Sequence, residues 1–179
     1  MKGLVNWKAL QDLHAASFHK RIDENPAGFW GQTAAMYNKM AQLEEDYTKN
    51  QLETIIVEPS DSVLDIGCGP GRLAVPMARK AARVTALDVA PEMLEKCQEN
   101  ARLAGVGNLQ TLLLNWDDAA IGENIEKHDV VIASRSTGMF DLIKLNSAAK
   151  KYVFVLSFAQ SPSLKEARDS LFIGASDKV

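Results

Sequence analysis

The residues able to do chemistry recur at the ends of predicted strands. Asp65 precedes three glycines on alternate positions, Gly67, Gly69 and Gly71, in the run Val63-Leu64-Asp65-Ile66-Gly67-Cys68-Gly69-Pro70-Gly71. Val63, Leu64 and Ile66 read as a strand buried in a parallel sheet. A helical pattern begins at once with Arg72-Leu73-Ala74. A strand that turns through glycines into a helix start makes a cradle. Glycine lets a ligand approach the backbone closely, and the first helical N–H groups have no partners within the helix. Asp65 supplies a carboxylate to that cradle. The dinucleotide fingerprint G-x-G-x-x-G is not met, because the third glycine comes one residue early and Arg72 takes its place. The plainer alternative is a tight strand–helix turn that binds nothing.

Further candidates follow in order. Asp88 ends the run Val84-Thr85-Ala86-Leu87-Asp88, seventeen residues beyond Gly71. A carboxylate there can accept hydrogen bonds from both hydroxyls of a ribose, or it is merely a charged strand end. Asn115-Trp116-Asp117 follows a third strand and Ser134-Arg135-Ser136 a fourth. Ligands gather at the carboxyl ends of parallel strands. Arg135 could grip an acidic substrate group or lie solvated in its loop.

The D-x-G-x-G-x-G pattern resembles motif I of the class I S-adenosylmethionine-dependent methyltransferases, and Asp88 resembles their motif II. The resemblance implies that the loop passes beneath the methionine and ribose of the cofactor, with Asp65 near its ammonium group. A zwitterionic, sulfonium-bearing cofactor suits a carboxylate better than a pyrophosphate would. It further implies that Asp117, with Asp118 as a competitor, takes the adenine amino group and that Trp116 offers a stacking surface. Val89 and Met93 would wall the adenine. The implied cofactor set is Asp65, Gly67, Cys68, Gly69, Gly71, Asp88, Val89, Met93, Asn115, Trp116, Asp117 and Ser134. Arg135, Tyr37 and Trp30 are the candidates for the acceptor, and the segment Thr137-Gly138-Met139-Phe140 for its pocket. The Asn- or Asp-Pro-Pro-aromatic sequence of nucleobase amino-methyltransferases is missing after the fourth strand. Methyl transfer to an activated electrophile needs positioning more than a base, so no catalytic residue is assigned.

The elements that must position these residues alternate from Ser60 onward. Strands are expected at Val63–Ile66, Arg83–Leu87, Leu109–Leu114, Asp129–Ser134 and Tyr152–Ser157. Helices are expected over Gly71–Ala82, from Pro91 to Gly105, and over Asp141–Lys151. The resemblance implies an α/β, Rossmann-like, doubly wound parallel sheet in the order 3-2-1-4-5. Residues 1–58 form an N-terminal helical cap and 59–179 the cofactor-binding core. In the cap, Leu4, Trp7, Leu10, His14 and Phe18 share one helical face, and Met36, Met40, Leu43 and Tyr47 another. Trp30, Tyr37, His14 and His19 could reach the cleft, although single aromatics are more often core anchors. After a helix at Leu164–Phe172 no room remains for the family's C-terminal hairpin. The chain is therefore expected to be a fragment, or to pair through the strand-five edge as a homodimer.

Composition narrows the class. The 179 residues are 46% hydrophobic and 24% charged with net charge −3, which suits a globular domain and offers no field for nucleic acid. A small-molecule acceptor is the first expectation. Two cysteines make no disulfide framework, three histidines make no zinc spacing, and no apolar stretch is long enough for a bilayer. A cytoplasmic setting follows as the default, with no metal. Two other classes stay open: a cofactor-binding partner subunit without turnover, and a nicotinamide-dependent oxidoreductase.

Overall fold

The structure is a computed structural model, and it describes residues 24–156. The first cap helix with His14 and His19, Ser157, and the helix expected at Leu164–Phe172 lie outside those residues. The five strands are β1 (Ser62–Ile66), β2 (Arg83–Asp88), β3 (Leu109–Leu113), β4 (His128–Ser134) and β5 (Ala149–Leu156). They form one sheet in the order β3-β2-β1-β4-β5, parallel throughout. This is the expected Rossmann-like arrangement. Every residue of β1 is buried, as a central strand covered on both faces requires.

The helices are α1 (Pro26–Leu43), α2 (Glu45–Thr54), α3 (Ala74–Met77), α4 (Pro91–Leu103) and α5 (Leu142–Ala148). Helix α4 buries Met93, Leu94, Cys97 and Ala101, the stripe its spacing predicts. Two helices and one buried face depart from expectation by more than a residue or two. The helix expected over Gly71–Ala82 shrinks to α3, whose i→i+4 bonds run past Pro76, with Val75 N on the Gly71 carbonyl and Ala78 N on the Ala74 carbonyl, both at 3.0 Å. The chain then tightens into i→i+3 bonds, Arg79 N to the Pro76 carbonyl at 3.2 Å and Lys80 N to the Met77 carbonyl at 2.9 Å. Helix α5 ends at Ala148, since β5 begins three residues earlier than its apolar core suggests. The Met36–Met40–Leu43 stripe is not the buried face: Met36 is 53% exposed and Leu43 88%. Trp30, Ala34 and Tyr37, at i, i+4 and i+7, face Ala90 and Met93 instead. Helix α1 is seated by Asn25, whose Oδ1 accepts from Gly28 N at 2.9 Å, and by Pro26 at its first position.

The amino ends of the strands are closed by polar groups that satisfy one another. Asp129 Oδ2 accepts from Ser62 N at 2.9 Å and from Ser62 Oγ at 2.6 Å. Asp61 accepts from Glu58 N at 3.0 Å and from Lys151 Nζ at 2.5 Å. His128, buried, has Nδ1 at 2.9 Å from the Glu126 carbonyl and Nε2 at 2.8 Å from Thr85 Oγ1. Gln110 Nε2 donates to the same Thr85 oxygen at 3.0 Å.

Candidate functional site

At the carboxyl ends of β1 to β4 lies a cavity of about 460 Å³, roofed by Trp30, Tyr37, Met40 and Ala41 of α1 and by Glu44. The sheet order spreads the predicted residues across its floor. Asn115, Trp116 and Asp117 line it at the β3 end, Asp88 and Val89 at β2, Asp65 and the glycine loop at β1, and Ser134 and Arg135 at β4. Every residue of the predicted cofactor set except Gly71 lines this cavity, as do Arg135, Tyr37 and Trp30. Asp118 does not, which leaves Asp117 as the carboxylate on the cavity after β3.

The three glycines do different work, although all have positive φ: 69° at Gly67, 55° at Gly69 and 84° at Gly71. A side chain on Gly69 would meet nothing nearer than Met93 Sδ at 3.9 Å, so its backbone faces open cavity. A Cβ on Gly71 would lie 2.7 Å from Cys97 Sγ and 2.8 Å from Val75 Cγ2, so Gly71 serves close packing. The Gly67 position is filled from the far side by Ser136.

Two carboxylates anchor the middle of the site. Asp88 Oδ2 accepts from Gly69 N at 2.8 Å and Oδ1 from Ala90 N at 3.0 Å, which fixes the carboxylate plane and leaves each oxygen a lone pair. Its pKa is raised, by burial first, against the pull of those N–H groups. Asp65 is 2% exposed, and burial pushes its pKa up to about 7, with the Arg72 guanidinium opposing. The hydrogen bond with the Cys97 thiol, and then burial, raise Cys68 well above the usual thiol range, which disfavours the nucleophilic thiolate of this loop cysteine.

Trp116 divides its ring between cavity and core. It is 5% exposed, its Nε1 is buried without a partner, and the Lys144 ammonium lies 4.9 Å from the ring centroid. Lys144 Nζ donates to the Trp116 and Asp117 carbonyls at 2.5 and 3.1 Å, pinning the loop. Asn115 Oδ1 accepts from Asp117 N at 3.1 Å and starts the short 3₁₀ turn there. Trp30 and Tyr37 are both anchors and lining, in edge contact at 5.5 Å. Thr137 and Gly138 line the cavity, whereas Met139 packs in the core and Phe140 is 81% exposed.

Around β4 the structure assembles a cluster that the sequence alone does not signal. Arg135 pairs bidentately with Glu44, at 3.2 and 2.6 Å. Arg72 donates to Thr48, Gln51 and Ser134 at 3.1, 2.6 and 3.0 Å. The Tyr47 ring lies 5.6 Å from the Arg72 guanidinium carbon and 5.2 Å from that of Arg135. Arg135 has φ 53°, a left-handed conformation that costs a side-chain-bearing residue roughly 1–2 kcal/mol. Glu44 is held low by its hydrogen bonds from Arg135. Glu44, Tyr47, Thr48 and Gln51 carry no motif, whereas Ser134 and Arg135 follow the fourth strand and Arg72 stands in the place of the third glycine. Among the described residues no group of three His, Cys, Asp or Glu side chains converges as metal ligands do.

Comparison with known proteins decides the family. Residues 63–157 match the model of the methyltransferase domain. The chain belongs to this methyltransferase family. The match spans every predicted cofactor residue, and it bears out the resemblance to the class I S-adenosylmethionine-dependent enzymes. An uncharacterised protein of Haemophilus influenzae is 39% identical over 142 residues, which are 76% of this chain and 52% of that one. The chain thus spans about half the length of that relative. The 23S rRNA (uracil(1939)-C(5))-methyltransferase of Klebsiella pneumoniae is 31% identical over 86 residues, 48% of this chain and 20% of that protein. Among solved structures, a phosphoethanolamine N-methyltransferase of Haemonchus contortus, in complex with phosphoethanolamine and S-adenosylhomocysteine, superposes with TM-score 0.61 at 22% identity. That superposition covers 76% of this chain and 32% of the other, and it shows the shared fold. The family uses S-adenosylmethionine as its methyl donor.

Proposed function

We propose that this chain carries the catalytic core of an S-adenosylmethionine-dependent methyltransferase acting on a small molecule, with residues 1–58 as its cap and 59–179 as its cofactor domain. The observation that carries the reading is the convergence, in one cavity, of an open-faced glycine, two buried carboxylates and the pinned loop after β3. These groups fit the cofactor: an unfilled cradle at Gly69, acceptors for ribose at Asp88, and an orphaned N–H at Trp116. When bound, the cofactor supplies a methyl already activated on a sulfonium. In this reading Gly69 forms the floor and Asp65 faces the ammonium group. Asp88 takes the ribose hydroxyls, Asp117 the adenine amino group, and Val89 with Met93 the ring's flanks. The α1 roof excludes water and holds the acceptor in line, which is where the rate is gained. The cavity volume, within the usual range for small-ligand sites, favours a small acceptor over RNA. The edge of β5, paired on one side only among the described residues, supports a homodimer as well.

The test is calorimetry with S-adenosylhomocysteine on the full chain, followed by methyl-transfer assays over a small-molecule panel. Micromolar binding is expected, with NAD inert. No affinity for S-adenosylhomocysteine, or a preference for NAD, overturns the reading. Light scattering that gives one chain's mass removes the homodimer.

A further inference from the structure

From the cluster between α2 and β4, we infer that the methyl acceptor carries an oxyanion, a carboxylate or a phosphate-type group, bound by Arg135 with Arg72 behind it. The inference deepens the methyltransferase reading and rests on it. Sheet order gives the first reason. Adenine, ribose and methionyl candidates lie at the β3, β2 and β1 ends, with Ser134 of the cofactor set closing β4, so the next place along the floor, beyond Ser134, falls to the acceptor. Arg135 and Arg72 both line the cavity at that place, together with Glu44.

Charge gives the second. Two guanidinium groups flank one tyrosine ring, and burial first, then the charge of Arg135, hold Arg72 below the usual guanidinium range. The carboxylates on the cavity are Glu44, Asp65, Asp88 and Asp117. Asp88 and Asp117 lie toward the β2 and β3 end, and Asp65 is buried at β1. Glu44 pairs directly with Arg135, and the two keep side-chain exposures of 28% and 18%. A planar guanidinium fork matches a carboxylate or phosphate in two parallel hydrogen bonds, the geometry Glu44 already occupies. Glu44 thus stands in the structure as the stand-in for a ligand oxyanion.

Backbone geometry gives the third. Arg135 is the single non-glycine residue with positive φ among the described residues. Strain of this kind persists where a side chain must be delivered to one spot. Arg72 is held rigid by Thr48, Gln51 and Ser134, so the field it adds is preorganised. Glu44 sits at the break between α1 and α2, with φ −95° and ψ 25°, where a small rotation frees its carboxylate without unwinding either helix.

The test titrates three probes into the full chain, with and without saturating S-adenosylhomocysteine, at low salt and read by ligand-observed NMR. The probes are propionate, methylphosphonate and the neutral isostere propionamide. One or both anions are expected to bind in the millimolar range, the stronger arm naming the acceptor's acid, with propionamide at least tenfold weaker. Arg135→Gln weakens anion binding at least tenfold, while Glu44→Gln, which removes the competing carboxylate, tightens it several-fold. S-adenosylhomocysteine affinity moves less than threefold in both variants. Equal binding of propionamide, or anion affinities indifferent to both substitutions, overturns the inference. So does competition between the anions and S-adenosylhomocysteine, which would assign the arginines to the cofactor's own carboxylate. A failure of S-adenosylhomocysteine itself to bind counts against the methyltransferase reading alone. The titration without it still reads the oxyanion seat, supported by Arg135 dependence and overturned by its absence.

Discussion

Four aspartates around β1 and its neighbours divide the molecule in two. At the amino ends of the strands, Asp61 and Asp129 have lowered pKa values, held down by hydrogen bonds from Lys151 and from Ser62. At the carboxyl ends, Asp65 and Asp88 have raised ones, with burial the leading cause in both. The orphaned Trp116 Nε1 and Ser136 Oγ and the left-handed Arg135 also lie on the carboxyl side. One end is internally satisfied and contributes stability. The other keeps uncompensated polar groups where a ligand can meet them. The same residue type, on adjacent strands of one sheet, serves opposite purposes because its partners differ.

Substitutions can break this contrast. The largest effect is expected from Asp88→Ala, which removes both the ribose acceptor and the clasp on Gly69. S-adenosylhomocysteine affinity should fall about a hundredfold by calorimetry, near the upper end for charged hydrogen bonds. Asp65→Asn should separate stability from binding. A buried acid whose folded pKa is raised stabilises the fold below about pH 4, and that contribution is lost as pH rises toward 7. The asparagine should therefore raise Tm at pH 7.5 by about 3 °C or more, while weakening S-adenosylhomocysteine roughly tenfold. Asp61→Asn at the other end should lower Tm and leave affinity alone. Equal signs for the two substitutions in thermal melts would erase the contrast.

Acidity offers a finer test. Asp65 meets the ligand's ammonium only when ionised, and its pKa stands at about 7. Affinity for S-adenosylhomocysteine should thus be about tenfold weaker at pH 6 than at pH 8, and Asp65→Asn should flatten that slope. The smallest effect is expected from Lys144→Ala. Loosening the Trp116 loop should raise Kd about two- to threefold and shift Trp116 fluorescence.

The sheet and most of the cavity floor were legible because both rest on local patterns. Apolar runs set the strands, and the glycines with Asp65 and Asp88 fall at strand ends by spacing alone. The α3 boundary is not legible because composition does not show where i→i+4 bonds give way to i→i+3 bonds, here at Arg79 and Lys80. The buried face of α1 was misread because Met36 and Leu43 share a stripe as apolar as the true one. Trp30, Ala34 and Tyr37 win because Ala90 and Met93 are there to receive them, a fact that lives in tertiary contact. The Glu44–Arg135 pair joins residues 91 apart and had no local signature at all.

The contact linking Thr85 to His128 runs in one direction only. The Glu126 carbonyl at 2.9 Å demands a hydrogen on Nδ1, so Nε2 must take the Thr85 hydroxyl hydrogen, and Gln110 then feeds the Thr85 oxygen. A ratchet of hydrogens thereby couples β3, β2 and β4 across the intervening β1. Burial holds the imidazole below its ordinary basicity, and a second proton would have to charge a buried ring and turn the Thr85 hydroxyl round to accept. This stitch therefore stays tied at neutral pH and comes undone in acid, loosening the sheet from the end opposite its cavity.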